Sequence, residues 1–330
     1  MRKIDFEAHC YSPGLLEYFG RREKYPYYNA EEFKISFSDD FSIRNEYKLT
    51  HLKESCEERV EVMDRFGISV QVLSCSPGIE LIEDPEQAIA AARDVNDWMH
   101  SFIRKYPDRF MAFAALPMQD TDVACAELER CIKELGFAGW LTFSNYGDSH
   151  PDDDRYDAVF DKAGELGAVI YLHPTQACSG RLTGLGAQLA SAPFGFGMDT
   201  STTLMRLILK GTFDRNPGLR LLVGHLGEVF PFILKRIAER SKGMPREPAV
   251  NKELADYYFH KNIWVTTSGQ YSLDSFRCTQ EVLGINRILI GSDFPYEFPE
   301  EGCAFEKELP LSRTDREKLF FRNAEALLGL

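Results

Sequence analysis

Short apolar runs recur along the chain at 4–10, 69–74, 110–116, 138–143, 168–173, 219–224, 262–267 and 287–291, and each reads as a strand. Several of them, such as AVIYLH, LRLLVG and RILIG, are almost continuously apolar, as expected of parallel strands buried on both faces. Between them the apolar positions change to helical spacing, in CEERVEVMDRFG, EQAIAAARDVN, VACAELERCIKELG, RYDAVFDKAGELG, TTLMRLILKGTFDRNPG and VFPFILKRIAER. Several of these segments close on Gly or Pro just before the next strand, which is a helix stop. Eight such alternations predict an α/β fold, a (β/α)8 TIM barrel occupying residues 1–330 as one domain. A Rossmann-type sheet is the rival, but no G-x-G-x-x-G follows the first strand.

Length adds where the excess lies. A barrel needs about 250 residues, and the chain has 330. The surplus falls at 11–49, long, aromatic and polar, at 175–199, rich in Gly, Ser and Ala, and at 294–311, which carries Pro, Glu and Phe. Each insertion follows a strand's C-terminal end, the face on which barrels build active sites. Aromatic residues in or beside these loops (Phe19, Tyr25, Tyr27, Tyr28, Phe194, Phe196, Phe294 and Tyr296) offer faces for a planar ring, with Phe194 and Phe294 the selected substrate contacts.

Composition narrows the partners. A net charge of −13 argues against nucleic acid or an anionic membrane, since either needs a basic face. No run approaches the ~18 apolar residues of a membrane span, and MRKIDFEAHC turns polar too early for a signal peptide. The eight cysteines are scattered without a C-x-x-C pair, so they read as reduced thiols of a cytoplasmic protein.

The candidate chemistry sits at strand ends. Glu7 and His9 form an E-x-H, whose spacing of two points both side chains to one side of a strand. His173 ends YLH, His225 follows LLVG, and Asp293 follows the last strand in GSDFP. Three of the seven histidines fall at these positions, while His51, His100, His150 and His260 lie on helices or loops. Strand ends converge in a closed barrel, so together these residues predict a site.

FEAHC, YLHP, the block LMRLILKGTFDRNPGLRLLVGHLGEVFPFILKR, VTTSG, GSDFPYE and the closing FFRNAEALLGL make the chain resemble the nonoxidative decarboxylases of the amidohydrolase superfamily. That branch includes γ-resorcylate, 2,3-dihydroxybenzoate and aminocarboxymuconate-semialdehyde decarboxylases. Glu7 stands where many superfamily members have the first His of H-x-H, a substitution similar to that of the dihydroxybenzoate enzymes. AGWLTFS offers no lysine to bridge two metals, so one divalent ion, Mn²⁺ or Zn²⁺, is expected. The resemblance implies Glu7, His9, His173 and Asp293 as its ligands. It implies His225 and Glu228 as an acid/base dyad, and Arg236 as its support or as a substrate contact. It also implies a homo-oligomer, dimer or tetramer. Thr266, Thr267 and Ser268 stand at a further strand end, where they can line the site or serve the backbone.

The expected activity is decarboxylation of a hydroxylated aromatic acid, with Asp293 as proton donor and no organic cofactor. His225, backed by Glu228, is expected to take the phenolic proton or to balance charge. A hydrolase or hydratase of a lactone, ester or unsaturated dicarboxylate is the alternative, because the same ligands can activate water. A non-catalytic binding protein on a decayed barrel is the third reading.

Overall fold

In the computed structural model, which describes residues 1–177 and 179–330, eight parallel strands form the expected barrel. They are β1 (Ile4–His9), β5 (Val70–Ser74), β6 (Phe110–Ala114), β7 (Gly139–Phe143), β8 (Val169–His173), β9 (Arg220–Val223), β10 (Ile263–Thr266) and β11 (Ile288–Leu289). All eight lie within the predicted runs and follow one another in sheet order. Helices alternate with them outside, the longest being Pro85–Lys105. Cys56–Arg65 starts on a reciprocal cap, in which Ser55 and Glu58 satisfy each other's backbone N–H groups. Phe6, Val72, Phe113, Leu141, Tyr171, Leu222 and Leu289 belong to the core enclosed by the strands. A larger apolar layer joins strands to helices.

The first long insertion is more ordered than its composition suggested. It folds as helix Pro13–Gly20, a three-stranded antiparallel sheet of β2 (Tyr27–Asn29), β3 (Lys34–Ser36) and β4 (Ser42–Arg44), and helix Glu46–Leu52. Strands of three residues leave almost no periodic signal, which is why the sequence read as loop. The second insertion runs into helix Gly195–Leu209, and the third contains helix Pro299–Glu308. Asp40 joins two of them, accepting the backbone N–H groups of Gly184 (2.8 Å) and Gly186 (3.0 Å).

The barrel seam between β11 and β1 is closed partly by side chains. Backbone bonds run from Phe6 N to Ile290 O (3.0 Å) and from His9 N to Phe294 O (2.6 Å). Asp5, fully buried, accepts from Ser292 N (2.8 Å), Ser292 Oγ (2.6 Å) and Gln71 Nε2 (2.9 Å). Arg59, equally buried, donates to Gln71 Oε1 (3.2 Å) and to the carbonyl of His9 (3.0 Å), and pairs with Glu54. These bonds fix the strand ends on which Glu7, His9 and Asp293 stand.

One irregularity sets the site. Asp5 pairs with Gln71 and Ala8 with Leu73, so three steps on β1 face two on β5. This bulge reverses the alternation. Ile4 and Phe6 join the enclosed core, yet Glu7 also reaches Tyr171 across the barrel and His9 reaches Asp293 at the seam. Among the described residues no helix is long and apolar enough to cross a membrane. The seven described cysteines are free, and Cys178 lies outside the described residues.

Candidate metal centre

Glu7, His9, His173 and Asp293 each bring one ligand atom to a common point, all within 4.8 Å of one another. His9 Nε2 lies 3.0 Å from Asp293 Oδ1, and His173 Nε2 lies 3.4 Å from Glu7 Oε1. All four residues are buried.

Neighbouring groups set the imidazole tautomers. His173 Nδ1 is 2.7 Å from the carbonyl of Pro174, which only accepts, so Nδ1 carries the proton and the Nε2 lone pair faces the site. Ser76 Oγ is a second neighbour of that nitrogen at 2.9 Å. At His9, Ser74 Oγ donates to the carbonyl of Ala8 (3.3 Å) and is left to accept from Nδ1 at 3.0 Å. Such outer bonds orient metal-binding histidines. Burial lowers the pKa of both rings, that of His9 to about 4, which keeps them neutral.

Glu7 Oε1 is buried with no hydrogen-bond partner. An orphaned carboxylate oxygen beside two imidazole lone pairs and a second carboxylate is costly unless a cation completes the set. The donor set of two nitrogens and two oxygens therefore fits a divalent transition ion. Burial pushes the Glu7 carboxyl up, but the nearby imidazoles, among them the charged His225, outweigh it and hold it below its ordinary value. Asp293 goes the other way, raised by burial first and then by the charge of Glu7.

His225 and Glu228 stand beside this group, with His225 Nδ1 2.8 Å from Glu228 Oε1. Burial alone would lower the imidazole, but the Glu228 charge and hydrogen bond raise it to about 10. The turn after β9 is unusual, since His225, Leu226 and Glu228 all have positive φ, between 53° and 57°, and Asp293 has φ 55°. Non-glycine residues in this region carry backbone strain, which concentrates at functional sites. Gly269 permits the close approach between these residues. A Cβ there would lie 3.0 Å from His225 Cδ2 and 3.6 Å from Asp293 Oδ2.

Three sequence-selected residues do not join the group of four. Arg236 is exposed, because helix Phe230–Ser241 buries Phe230, Pro231, Leu234 and Ala238 and turns position 236 outward. It also does not continue a helical face from Glu228, which belongs to the left-handed turn. Phe294 is 1% exposed and packs on Arg59 at 4.7 Å and on His51 at 5.3 Å, so its ring is already covered. Phe194 is 49% exposed at the start of helix Gly195–Leu209. Among the loop aromatics Tyr296 comes close, its ring 5.1 Å from that of His9. Ser74, Ser76 and Tyr171 escaped the sequence reading. Tyr171 had a signal, since it precedes His173 by two and so shares its strand face.

A family profile described as Amidohydrolase matches residues 50–330. The chain belongs to the amidohydrolase family. It is 35% identical over 286 residues to a γ-resorcylate decarboxylase of Polaromonas sp. (strain JS666), covering 83% of this chain and 87% of that protein. The crystal structure of a dihydroxybenzoic acid decarboxylase from Polaromonas sp. JS666, with bound manganese and the inhibitor 2-nitroresorcinol, superposes with a TM-score of 0.85. It is 29% identical, over 100% of this chain and 97% of that one. A 5-carboxyvanillate decarboxylase from Novosphingobium aromaticivorans, with manganese and 4-hydroxy-3-methoxy-5-nitrobenzoic acid, gives a TM-score of 0.89 at 28% identity. That match covers 100% of this chain and 96% of the other.

Proposed function

We propose that this amidohydrolase is a metal-dependent decarboxylase of an aromatic acid with a hydroxyl ortho to its carboxylate, releasing CO₂ without an organic cofactor. The observation that carries this reading is the buried Glu7–His9–His173–Asp293 group, in a chain alike over its length to manganese-containing hydroxybenzoate decarboxylases. A divalent ion held by these four residues, Mn²⁺ in preference to Zn²⁺ from those relatives, would supply positive charge to a phenolate and carboxylate presented together.

The chain's own groups account for the proton movements. Loss of CO₂ directly from an aromatic ring would leave an electron pair on an sp² carbon. Protonation of that carbon first avoids this, because the ortho oxygen pushes density into the ring. Asp293 is the donor in this reading, and burial first, then the Glu7 charge, act on its carboxyl in the direction that favours the protonated form. The carbon–carbon bond then breaks, its electrons restore the aromatic ring, and CO₂ leaves. His225, kept charged by Glu228, balances the anionic substrate, the second of the two roles expected for it.

The same reading takes residues 1–330 as one domain in the cytoplasm, assembled as a dimer or tetramer, and sedimentation of the metal-loaded protein measures that state. The function is tested by incubating Mn²⁺-loaded protein with a panel of hydroxybenzoates and following CO₂. Release from ortho-phenolic acids and not from their meta isomers is expected. No release from any of them, together with lactone hydrolysis, would replace decarboxylation by hydrolysis.

A further inference from the structure

The two oxygens of the Glu7 carboxylate have unlike surroundings. Oε2 accepts hydrogen bonds from the hydroxyls of Tyr171 and of Thr266, the latter at 3.0 Å. Oε1 has no hydrogen-bond partner and lies 3.4 Å from His173 Nε2 and 3.9 Å from His9 Nε2. Tyr171 and Thr266 are fully buried, so neither hydroxyl can turn to water instead. Ser268 Oγ, 2.8 Å from Thr266 Oγ1, can donate to it and leave the Thr266 proton for Glu7. Two glycines lie close to the Glu7 side chain. A Cβ on Gly224 would lie 3.5 Å from Glu7 Oε1, and one on Gly291 would lie 3.3 Å from Glu7 Cβ.

A carboxylate ligand can bind through one oxygen or two, and the choice changes how many positions remain on the ion. Four protein residues giving one atom each leave about two positions on an octahedral ion such as Mn²⁺. A phenolate and an ortho carboxylate acting together need both. Two-oxygen binding by Glu7 would fill one of them and leave room for a single substrate oxygen.

We propose that Tyr171 and Thr266 are positioning residues that hold Glu7 as a one-oxygen ligand, and that this restraint keeps the second open position for a chelating ortho-phenolic acid. The inference rests on the metal-dependent reading above and adds how the site selects a two-oxygen substrate. Its consequence is that removing the two hydroxyls costs the site an open position without costing it the ion.

The test compares wild type, Tyr171→Phe, Thr266→Val and the double variant, each loaded with Mn²⁺. Bound metal is measured by elemental analysis and calorimetry, exchangeable waters on Mn²⁺ by water-proton relaxation dispersion, and chelation by titration with salicylate. The double variant is expected to bind Mn²⁺ at least as tightly as wild type, to lose one water of about two, and to bind salicylate at least tenfold more weakly. An unchanged water count and salicylate affinity in the folded, Mn²⁺-bound double variant overturns the proposal. If the double variant does not fold, Thr266→Val alone decides by the same readouts. A wild-type protein that takes up no Mn²⁺ refutes the metal reading itself, and this inference with it.

Discussion

Gly197, in the first turn of helix Gly195–Leu209, abuts the Glu228 carboxylate so closely that a Cβ there would lie 2.7 Å from Glu228 Oε2. Only glycine lets this helix approach the His225–Glu228 pair without moving it. Gly197→Ala should therefore push Glu228 away from His225, although alanine is the better helix former by about 1 kcal/mol. With Glu228 displaced, burial acts on His225 unopposed by its nearest negative charge, and its pKa falls from about 10. The expected outcome is a protein of normal or raised stability whose kcat drops by roughly tenfold to a hundredfold. The alkaline limb of its pH profile moves to lower pH. Unchanged kcat and pH profile in the variant would remove Gly197 from this role.

Asp293→Asn tests the proton donor. The substitution keeps the size of a side chain packed beside His9 at 3.0 Å, so the barrel should fold. It removes the acidic proton and one of two carboxylates from the site. Turnover should fall by at least about 10²–10⁴, the range of a lost general acid. CO₂ release and bound Mn²⁺, measured on the same sample, separate lost chemistry from lost ion. Activity near wild type would take the donor role away from Asp293.

Much of the barrel was legible because its signal is periodic. Apolar runs mark the eight strands, and the two-residue spacing correctly brings Glu7 and His9 to one side. The sequence did not show why that side is the interior, since Ile4 and Phe6 also point inward and only a bulge reconciles the two sets. The outward orientation of Arg236 on helix Phe230–Ser241 was not legible either, because left-handed residues interrupt the chain between His225 and that helix. Phe294 looked available beside Asp293, but its partner Arg59 lies far away in sequence, where no local pattern could link them. The small sheet β2–β4 depends on pairing between three-residue strands, which tertiary context decides.

Metal binding should stabilise the fold through the four donor residues and not through His225. A ligand present at about a hundredfold its Kd stabilises the state it binds by roughly 2.7 kcal/mol. Thermal melts with and without Mn²⁺ should show Tm rising by several degrees in wild type. His225→Ala should retain that rise and its metal content while losing activity. His173→Ala should lose the rise, because it deletes a lone pair aimed at the common point. Loss of bound metal in His225→Ala would make His225 a ligand.

Glu80 gives a pH dependence separate from the metal centre. Its carboxylate accepts from Gly78 N (2.7 Å) and Thr175 Oγ1 (2.5 Å), tying the loop that carries Ser76 to the loop after β8. Burial raises its pKa from 4.5 to about 7 against the lowering effect of those bonds. Between these two values the folded protein binds more protons than the unfolded chain. The Glu80 contribution to stability is therefore largest below pH 4.5, declines as pH rises, and is constant above about 7. Over that window the loss amounts to about 3 kcal/mol at most. Glu80→Gln cannot titrate, so its stability relative to wild type should improve from pH 4.5 to pH 7 by up to that amount, whatever fixed cost the changed hydrogen bonding adds. Urea unfolding of both proteins at pH 5 and pH 8, without added metal, measures the difference of the two differences. An equal gap at the two pH values would mean that Glu80 titrates alike in the folded and unfolded chain.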